Sequence, residues 1–232
     1  MDIREKLKMD VSDIATVGPV TIVAFGDSIT HGAFSKGEFD YDAVYWNRLR
    51  KKINAVRPEI PVNVINAGIG GYTAKRSVDR LYDGALRYSP DLMIVCFGLN
   101  DVMRDKEEYL DSLDIIFRKC TDCGIEVIFM TPNMLNTYVS EDTDEKLLAY
   151  AQKTAEAQNS GRMDEYMEAA CAVAGKYGIA VCDCYVRWKE LNRSVDTTKM
   201  LANRINHPTK DMHELFAQAL FDTIFVNSDT AE

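Results

Sequence analysis

Short runs of apolar, β-branched residues alternate along this chain with longer amphipathic stretches. The runs are almost continuously apolar, as is typical of strands that are covered on both faces, and they occupy residues 20–25, 62–66, 92–97, 125–131 and 179–183. Helical periodicity covers residues 42–57, 106–122, 164–177 and 211–226. Because a strand followed by a helix and another strand builds a right-handed crossover, this order predicts an α/β fold. We expect a flavodoxin-like, doubly wound sheet of five parallel strands with helices on both faces.

No linker, repeat or low-complexity tract divides the chain of 232 residues. We therefore predict one domain over residues 1–232, with residues 1–18 as an N-terminal extension. The longest connection, residues 132–178, separates the fourth and fifth strands, and its stretch 141–161 is polar and helix-prone. This stretch is either a solvated helix pair, which we favour, or a lid or pocket wall.

The charge balance excludes several classes of protein. With 27 basic and 36 acidic side chains the net charge is −9, so the chain lacks the basic surface that nucleic-acid binding requires. No apolar run approaches the roughly 18 residues that span a bilayer. The first 18 residues mix both charge signs and lack the apolar segment of a signal peptide. We therefore expect a cytoplasmic protein, and its oligomeric state stays open.

Six cysteines are present, and in the cytoplasm they are expected to be reduced. Cys120 and Cys123 form one closely spaced pair, and Cys182 and Cys184 form another. Together they offer four thiolates, the ligand set of a structural zinc site. The second spacing is unusually tight for zinc, and Cys182 lies in an apolar run. We favour buried or inert thiols and predict no metal site.

Polar and glycine-rich segments follow the predicted strands. In an open parallel sheet, ligands bind beyond the carboxyl ends of the strands, so these segments are expected to meet at one edge. The segment 26–32 carries a serine and a histidine, 66–72 is rich in glycine, 98–101 contains an asparagine, and 206–208 precedes the last helix with a histidine.

This set of residues favours nucleophilic catalysis. The hydroxyl of Ser28 needs a base to remove its proton, and His31, His207 and His213 are the imidazole candidates. The backbone N–H of Ser28, a glycine N–H of the second turn and the Asn100 side-chain amide are candidate donors to a tetrahedral oxyanion. Taken singly, the glycines and Asn100 equally suit tight turns and a helix cap. Their occurrence at successive strand ends favours the catalytic interpretation.

In order along the chain, four blocks resemble those of the SGNH, or GDSL-type, hydrolases, over residues 20 to about 220. They are Gly26-Asp27-Ser28-Ile29, Gly71, Gly98-Leu99-Asn100-Asp101 and His207-Pro208. The resemblance implies a three-layer α/β/α sandwich and ester hydrolysis without a cofactor. It also implies that Ser28 is the nucleophile, that Gly71 and Asn100 complete the oxyanion hole, and that His207 is the base. We expect the adjacent Asp27, His31 and Tyr72 to contact the substrate.

The last block departs from the family pattern, in which an aspartate three residues before the histidine orients it. Arg204 occupies that position, and Asn203 and Asn206 are neutral. A guanidinium only donates hydrogen bonds and repels an imidazolium, so we expect its side chain to point away from His207. We expect a backbone carbonyl of residues 203–206 to accept from His207 Nδ1, or a remote acid, Asp183 or Asp196. His213 is interpreted as a residue of the last helix.

The resemblance is strongest to bacterial acyl esterases that act on carbohydrates. We therefore expect an esterase that forms an acyl-enzyme on a small-molecule substrate. This substrate is a short-chain ester of a polar compound, with an acetyl ester favoured. The alternatives are a lysophospholipase or thioesterase, and a carbohydrate-binding protein that lacks catalysis. A nucleotide-binding enzyme fails, because Gly68-Ile69-Gly70 continues with Thr73 where the dinucleotide fingerprint requires glycine. Aromatic residues that could stack on sugars, although packing is their commoner role, are Tyr41, Trp46, Tyr72 and Tyr138.

Overall fold

A five-stranded parallel sheet forms the centre of the molecule. A computed structural model describes residues 2–225. The strands lie in the order β2-β1-β3-β4-β5, the doubly wound order of flavodoxin-like proteins. Leu92 of the third strand lies opposite Ile22 of the first and Glu126 of the fourth. The strands are β1 (Val20–Gly26), β2 (Val62–Asn66), β3 (Leu92–Cys96), β4 (Glu126–Met130) and β5 (Ala180–Cys182).

Helices cover both faces of the sheet, which confirms the predicted three-layer fold. The helices are α1 (Ile3–Leu7), α2 (Val11–Val17), α3 (Ser28–His31), α4 (Tyr45–Val56), α5 (Ala74–Val78), α6 (Leu81–Gly84), α7 (Lys106–Asp122), α8 (Leu148–Asn159), α9 (Arg162–Lys176), α10 (Cys184–Asn192) and α11 (His213–Phe225). On one side α4 packs against α11, and α7 packs between α5 and α9. Short 3₁₀ helices occupy Leu86–Tyr88, Asp101–Met103, Glu145–Leu147 and Thr197–Met200.

The predicted strands agree with the observed ones to within one residue at each end. All residues of β3 are buried, and so are all but one of the residues in each of β1 and β4. These three strands lie inside the sheet. The edge strands β2 and β5 are partly exposed, so our expectation of cover on both faces was wrong for them. Val62 of β2 and Cys182 of β5 are nevertheless buried in the core, which explains why the edge strands are also apolar.

The N-terminal helices cover the amino-terminal edge of the sheet, away from the loops that follow the strands. Ile3 and Leu7 are buried in the core, and the backbone N–H of Ile3 donates to Glu126 at the start of β4. Lys6 reaches Asp91, just before β3, at 2.9 Å. The residues that we predicted as an extension thus contribute to the packing of the domain.

The stretch 141–161 contains one 3₁₀ helix and α8, and α8 has a buried face. Thr154 donates to the side chain of Asn136 at 2.6 Å, and Gln158 accepts from the backbone N–H of Leu135 at 2.9 Å. We had favoured a solvated helix pair for this stretch. The structure has one α-helix and one 3₁₀ helix there, and only the outer face of α8 is solvated. Its inner face fixes the segment that follows β4, which in turn touches the loop of His207.

The cysteines do not gather into a metal site within residues 2–225, where no group of three or more potential ligands occurs. Cys182 and Cys184 approach each other at 3.7 Å between their sulfur atoms and are buried, whereas Cys123 is exposed. Among the described helices, none has the length and apolar character that crossing a bilayer would require.

Candidate active site

Ser28 is the first residue of α3, directly beyond the carboxyl end of β1. Asp27 caps this short helix, because its Oδ1 accepts from the backbone N–H of Ile29 at 3.0 Å. The loop that follows β2 packs tightly against this helix. A Cβ on Gly68 of that loop would lie 2.6 Å from the carbonyl carbon of Thr30, so only glycine fits there. Ser28 is consequently held at the rim of the sheet, 7% exposed.

His207 meets Ser28 across the top of the sheet. Its Nε2 lies 2.8 Å from Ser28 Oγ, a distance at which the imidazole can accept the hydroxyl proton. Burial lowers the pKa of His207 below its ordinary value, and the hydrogen bond to the Phe34 carbonyl opposes this shift. The ring is therefore neutral at neutral pH, the state in which it can act as a base.

The other ring nitrogen of His207 donates to the backbone carbonyl of Phe34, with Nδ1 and the oxygen 3.0 Å apart. Because a carbonyl only accepts, this contact places the proton on Nδ1 and leaves Nε2 to accept from Ser28. We expected a carbonyl of residues 203–206, and this expectation was wrong. The carbonyl of Ile205 already accepts from the Asn136 N–H, and that of Asn206 accepts from the Asn133 amide.

Arg204 points away from His207, as predicted. Its guanidinium binds Asp142 at 2.9 Å and the carbonyl of Leu201 at 2.8 Å. Asn203 instead shapes the loop, because its Oδ1 accepts the backbone N–H groups of Ile205, Asn206 and His207, each at 3.0 Å. The position of the His207 backbone is thus fixed by Asn203, four residues before it, and not by the residue three positions before it.

Three possible oxyanion donors gather beside Ser28. Gly71 has a φ of +75°, which a residue with a side chain rarely adopts, and its N–H has no acceptor within residues 2–225. The same holds for the N–H of Ser28 in the described part of the chain. Asn100 Nδ2 donates to the carbonyl of Tyr72 at 2.9 Å and more weakly to Asp27 Oδ2 at 3.3 Å.

Two carboxyl groups lie buried beneath these donors. Burial raises the pKa of Asp27 to about 7 and that of Asp101 to about 7. Asp101 Oδ1 accepts from the N–H of Ala74 at 2.8 Å. Asp27 is 1% exposed, and both of its oxygens bind protein groups, so it supports the site from below instead of contacting substrate as we had expected.

His31 and Tyr72 border the site. Within residues 2–225, the His31 ring forms no hydrogen bond to Ser28; its Nδ1 accepts from the N–H of Gly70 at 3.3 Å. Tyr72 is half-buried, with the guanidinium of Arg76 4.1 Å above its ring. Both residues remain candidates for substrate contact.

A model of the GDSL-like lipase/acylhydrolase family matches residues 24–215, more than four-fifths of the chain. The chain belongs to this family. With the Ser28–His207 contact in place, the protein is a serine ester hydrolase of the GDSL type. The missing aspartate was the sole support for a protein without catalysis, and the Phe34 carbonyl occupies its hydrogen-bonding position at Nδ1.

Two curated proteins are similar in sequence to this GDSL-type hydrolase. The acetylxylan esterase of Geobacillus stearothermophilus is 24% identical over 220 residues, which cover 88% of this chain and 93% of that protein. The uncharacterized lipoprotein YqeF of Bacillus subtilis (strain 168) is 30% identical over 122 residues, 47% of each chain.

Solved structures share the fold. Axe2, an acetylxylan esterase from Geobacillus stearothermophilus, superposes with a TM-score of 0.70 at 22% identity and covers 89% of this chain and 94% of its own. LAE5, an α/β hydrolase from the metagenome of Lake Arreo in Spain, gives 0.68 at 22% identity, covering 88% and 94%. Other Axe2 structures carry catalytic mutations to alanine at a serine, an aspartate and a histidine, with the aspartate three positions before the histidine.

His213 is not part of the Ser28 site of this hydrolase. It begins α11 and is fully buried, and its Nδ1 accepts from the backbone N–H of Tyr45 at 3.1 Å. Burial, aided by Arg48, lowers its pKa to about 3. The interpretation of His213 as a residue of the last helix is confirmed.

Proposed function

We propose that this hydrolase removes acetyl groups from a carbohydrate through an acyl-enzyme on Ser28. The contact of 2.8 Å between Ser28 Oγ and His207 Nε2 carries the proposal, because it joins a nucleophile to a neutral base. The Phe34 carbonyl supports the required tautomer of His207 by accepting from Nδ1.

The reaction proceeds in two halves. His207 takes the Ser28 proton while Oγ attacks the acetyl carbon, and the resulting imidazolium gives that proton to the departing sugar oxygen. Water then attacks the acetyl-serine, with His207 again as the base. This step releases acetate and regenerates the hydroxyl of Ser28. Each half restores the protonation state of His207.

The oxyanion of each half-reaction is bound by Ser28 N–H, Gly71 N–H and Asn100 Nδ2. The two backbone groups donate to no other acceptor within residues 2–225, so they need no rearrangement. Of the two contacts of the Asn100 amide, the one to Asp27 at 3.3 Å is the longer and weaker. We infer that the oxyanion takes over this proton, while the contact to the Tyr72 carbonyl keeps the amide oriented.

The acetylxylan esterase relative supports an acetylated sugar as the substrate, because its similarity extends over 88% of this chain. The catalytic aspartate of Axe2 lies three positions before its histidine. Arg204 stands at that spacing here and is bound to Asp142, so the proposed enzyme works with a serine–histidine dyad.

An activity panel with a matched pair of serine variants tests the proposal. We expect hydrolysis of acetylated xylo-oligosaccharides and p-nitrophenyl acetate, a loss in kcat of a thousandfold or more in Ser28→Ala, and no change in Ser12→Ala, which lies on exposed α2. A serine-directed phosphonate should label Ser28. Faster turnover of lysophospholipids or acyl thioesters than of sugar acetates would reject the substrate class. Labelling of another serine would reject the site.

A further inference from the structure

Exposed aromatic rings lie beside the proposed nucleophile. Phe39 is 50% exposed and Tyr41 is 52% exposed. The ring of His31 contacts both, at centroid distances of 4.9 Å to Phe39 and 6.4 Å to Tyr41, and it lies nearly parallel to the Tyr41 ring. We propose that these three rings, the aromatic platform, bind the sugar ring that carries the scissile acetyl group. The proposal rests on the function proposed above and specifies its leaving-group site.

The platform is held in place by the backbone of the loop that follows α3. Ala33 and Phe39 pair as an antiparallel bridge, and Asp40 N–H donates to the carbonyl of Gly32 at 3.0 Å. The Tyr41 ring packs on Gly32, where an added Cβ would lie 3.3 Å from Cδ1 of the tyrosine. The rings are therefore presented to solvent in a fixed arrangement, which lowers the entropy cost of binding a ligand on them.

The platform adjoins Ser28 through Gly70. A Cβ built on Gly70 would lie 3.7 Å from Nδ1 of His31 and 3.8 Å from Cβ of Ser28. One small residue thus touches both the platform and the nucleophile. A pyranose ring, which extends about as far as one side chain, can lie on the platform while its ester group reaches Ser28.

The platform lies on the side of the site from which the alcohol departs. His207 must protonate the leaving oxygen, so the leaving group lies next to His207. Phe34, whose carbonyl binds His207 Nδ1, belongs to the same loop as Phe39, five residues earlier. The acyl oxygen is bound by Gly71 and Asn100, from the loops after β2 and β3. Gly70, in the first of these loops, forms the boundary between these donors and the platform.

The chemistry of the platform suits a sugar. One face of a pyranose presents C–H groups that pack on aromatic rings, while its hydroxyls stay in water, as the open position of these rings allows. His31 Nδ1 accepts from Gly70 N–H, which places the ring proton on Nε2. Nε2 makes no hydrogen bond within residues 2–225, so it can donate to a hydroxyl of the bound sugar.

The test compares two acetyl esters that differ in their alcohol. Peracetylated methyl β-xyloside offers a pyranose to the platform, and ethyl acetate offers nothing to stack. We expect Phe39→Leu and Tyr41→Leu each to raise KM for the xyloside about three- to tenfold, with kcat for it and kcat/KM for ethyl acetate changed by less than about twofold. Tyr41→Phe keeps the ring and should restore the KM.

Tyr88→Leu provides the matched control, because Tyr88 is 44% exposed and lies before β3, at the opposite edge of the sheet. Thermal unfolding of every variant reports loss of folding separately. Equal effects on both esters, or none, would overturn the platform while leaving sugar deacetylation intact. A larger effect on ethyl butyrate than on ethyl acetate would make the rings an acyl-chain wall and overturn the proposal. A wild-type enzyme active on ethyl acetate but not on the xyloside would reject the substrate class and the platform together.

Discussion

Replacement of His213 by asparagine should remove an acid-dependent loss of stability. His213 is buried against the rings of Phe34, Tyr45 and Phe216, and its Nδ1 accepts from the Tyr45 N–H at the start of α4. Asparagine places an Oδ1 acceptor close to the position of Nδ1 but has no group that gains a proton in this range. The loss of ring contacts costs about 1–3 kcal/mol of unfolding free energy at pH 8.

The sign of the pH effect follows from the two states of the wild-type histidine. Its pKa falls from 6.5 in the unfolded chain to about 3 in the fold, so between these values the unfolded chain binds a proton that the folded one does not. Stability therefore falls as the pH is lowered, by up to about 1.4 kcal/mol per unit below pH 6.5, or roughly 2.7 kcal/mol in total between pH 8 and 4.5. His213→Asn lacks this contribution, so its deficit at pH 8 should disappear or reverse near pH 4.5.

Urea unfolding from pH 4.5 to 8 measures the difference between the two proteins. The raised pKa values of Asp27 and Asp101 have the opposite effect on stability. Between pH 3.8 and about 7 these carboxyl groups are protonated in the folded state but ionised in the unfolded chain, so their contribution to stability is lost as the pH rises. This contribution is common to both proteins and cancels in the difference. Parallel stability curves for wild type and His213→Asn would refute the reasoning.

Four further outcomes concern catalysis. Asn100→Ala should lower kcat about 10²–10³-fold with little change in KM; a rise in KM alone would make it a binding residue. Arg204→Ala should keep activity within about tenfold in the acetyl-ester assay, whereas a loss as large as in His207→Ala would contradict its outward position. The acid limb of kcat/KM should have its midpoint below 6.5, because burial lowers the pKa of His207; a midpoint above 6.5 would refute this. Lys210→Met, which breaks ion pairs to Glu38 and Asp40 in the loop of Phe34, should lower kcat a few-fold, while the control Lys36→Met should not.

Much of the fold was predictable because burial leaves a clear pattern in the sequence. The run before Gly26 and the run before Gly98 are almost wholly apolar, and both proved to be inner strands of the sheet. Parallel strands bring their carboxyl ends to one edge, so the convergence of Ser28, Gly71 and Asn100 followed from topology. The meeting of His207 with Ser28 was suggested by the family pattern, since 178 residues separate the two along the chain.

The remaining features depend on backbone groups and burial, which residue types do not reveal. Every residue has a carbonyl, so nothing marked Phe34 as the partner of His207 Nδ1 until the loop bridge at Ala33 placed it there. Asn203 did carry a local signal, because an asparagine shortly before a turn often accepts backbone N–H groups. The Asp27 carboxyl was adjacent to the nucleophile in sequence, but its direction into the protein was decided by its role as the cap of α3.

A carbonyl in place of a carboxylate changes where transition-state stabilisation must come from. The Phe34 oxygen fixes the tautomer of His207, as an aspartate would, but it carries no net charge to stabilise the imidazolium. Burial makes that imidazolium more costly still, which is the cause of the lowered pKa of His207. An aspartate in the same buried position would itself have to be desolvated, and Asp27 and Asp101 nearby already resist ionisation until pH values of about 7. We therefore expect the proposed donors at Ser28, Gly71 and Asn100 to supply the larger share of the stabilisation, because they would act on the oxyanion without placing another charge in the core.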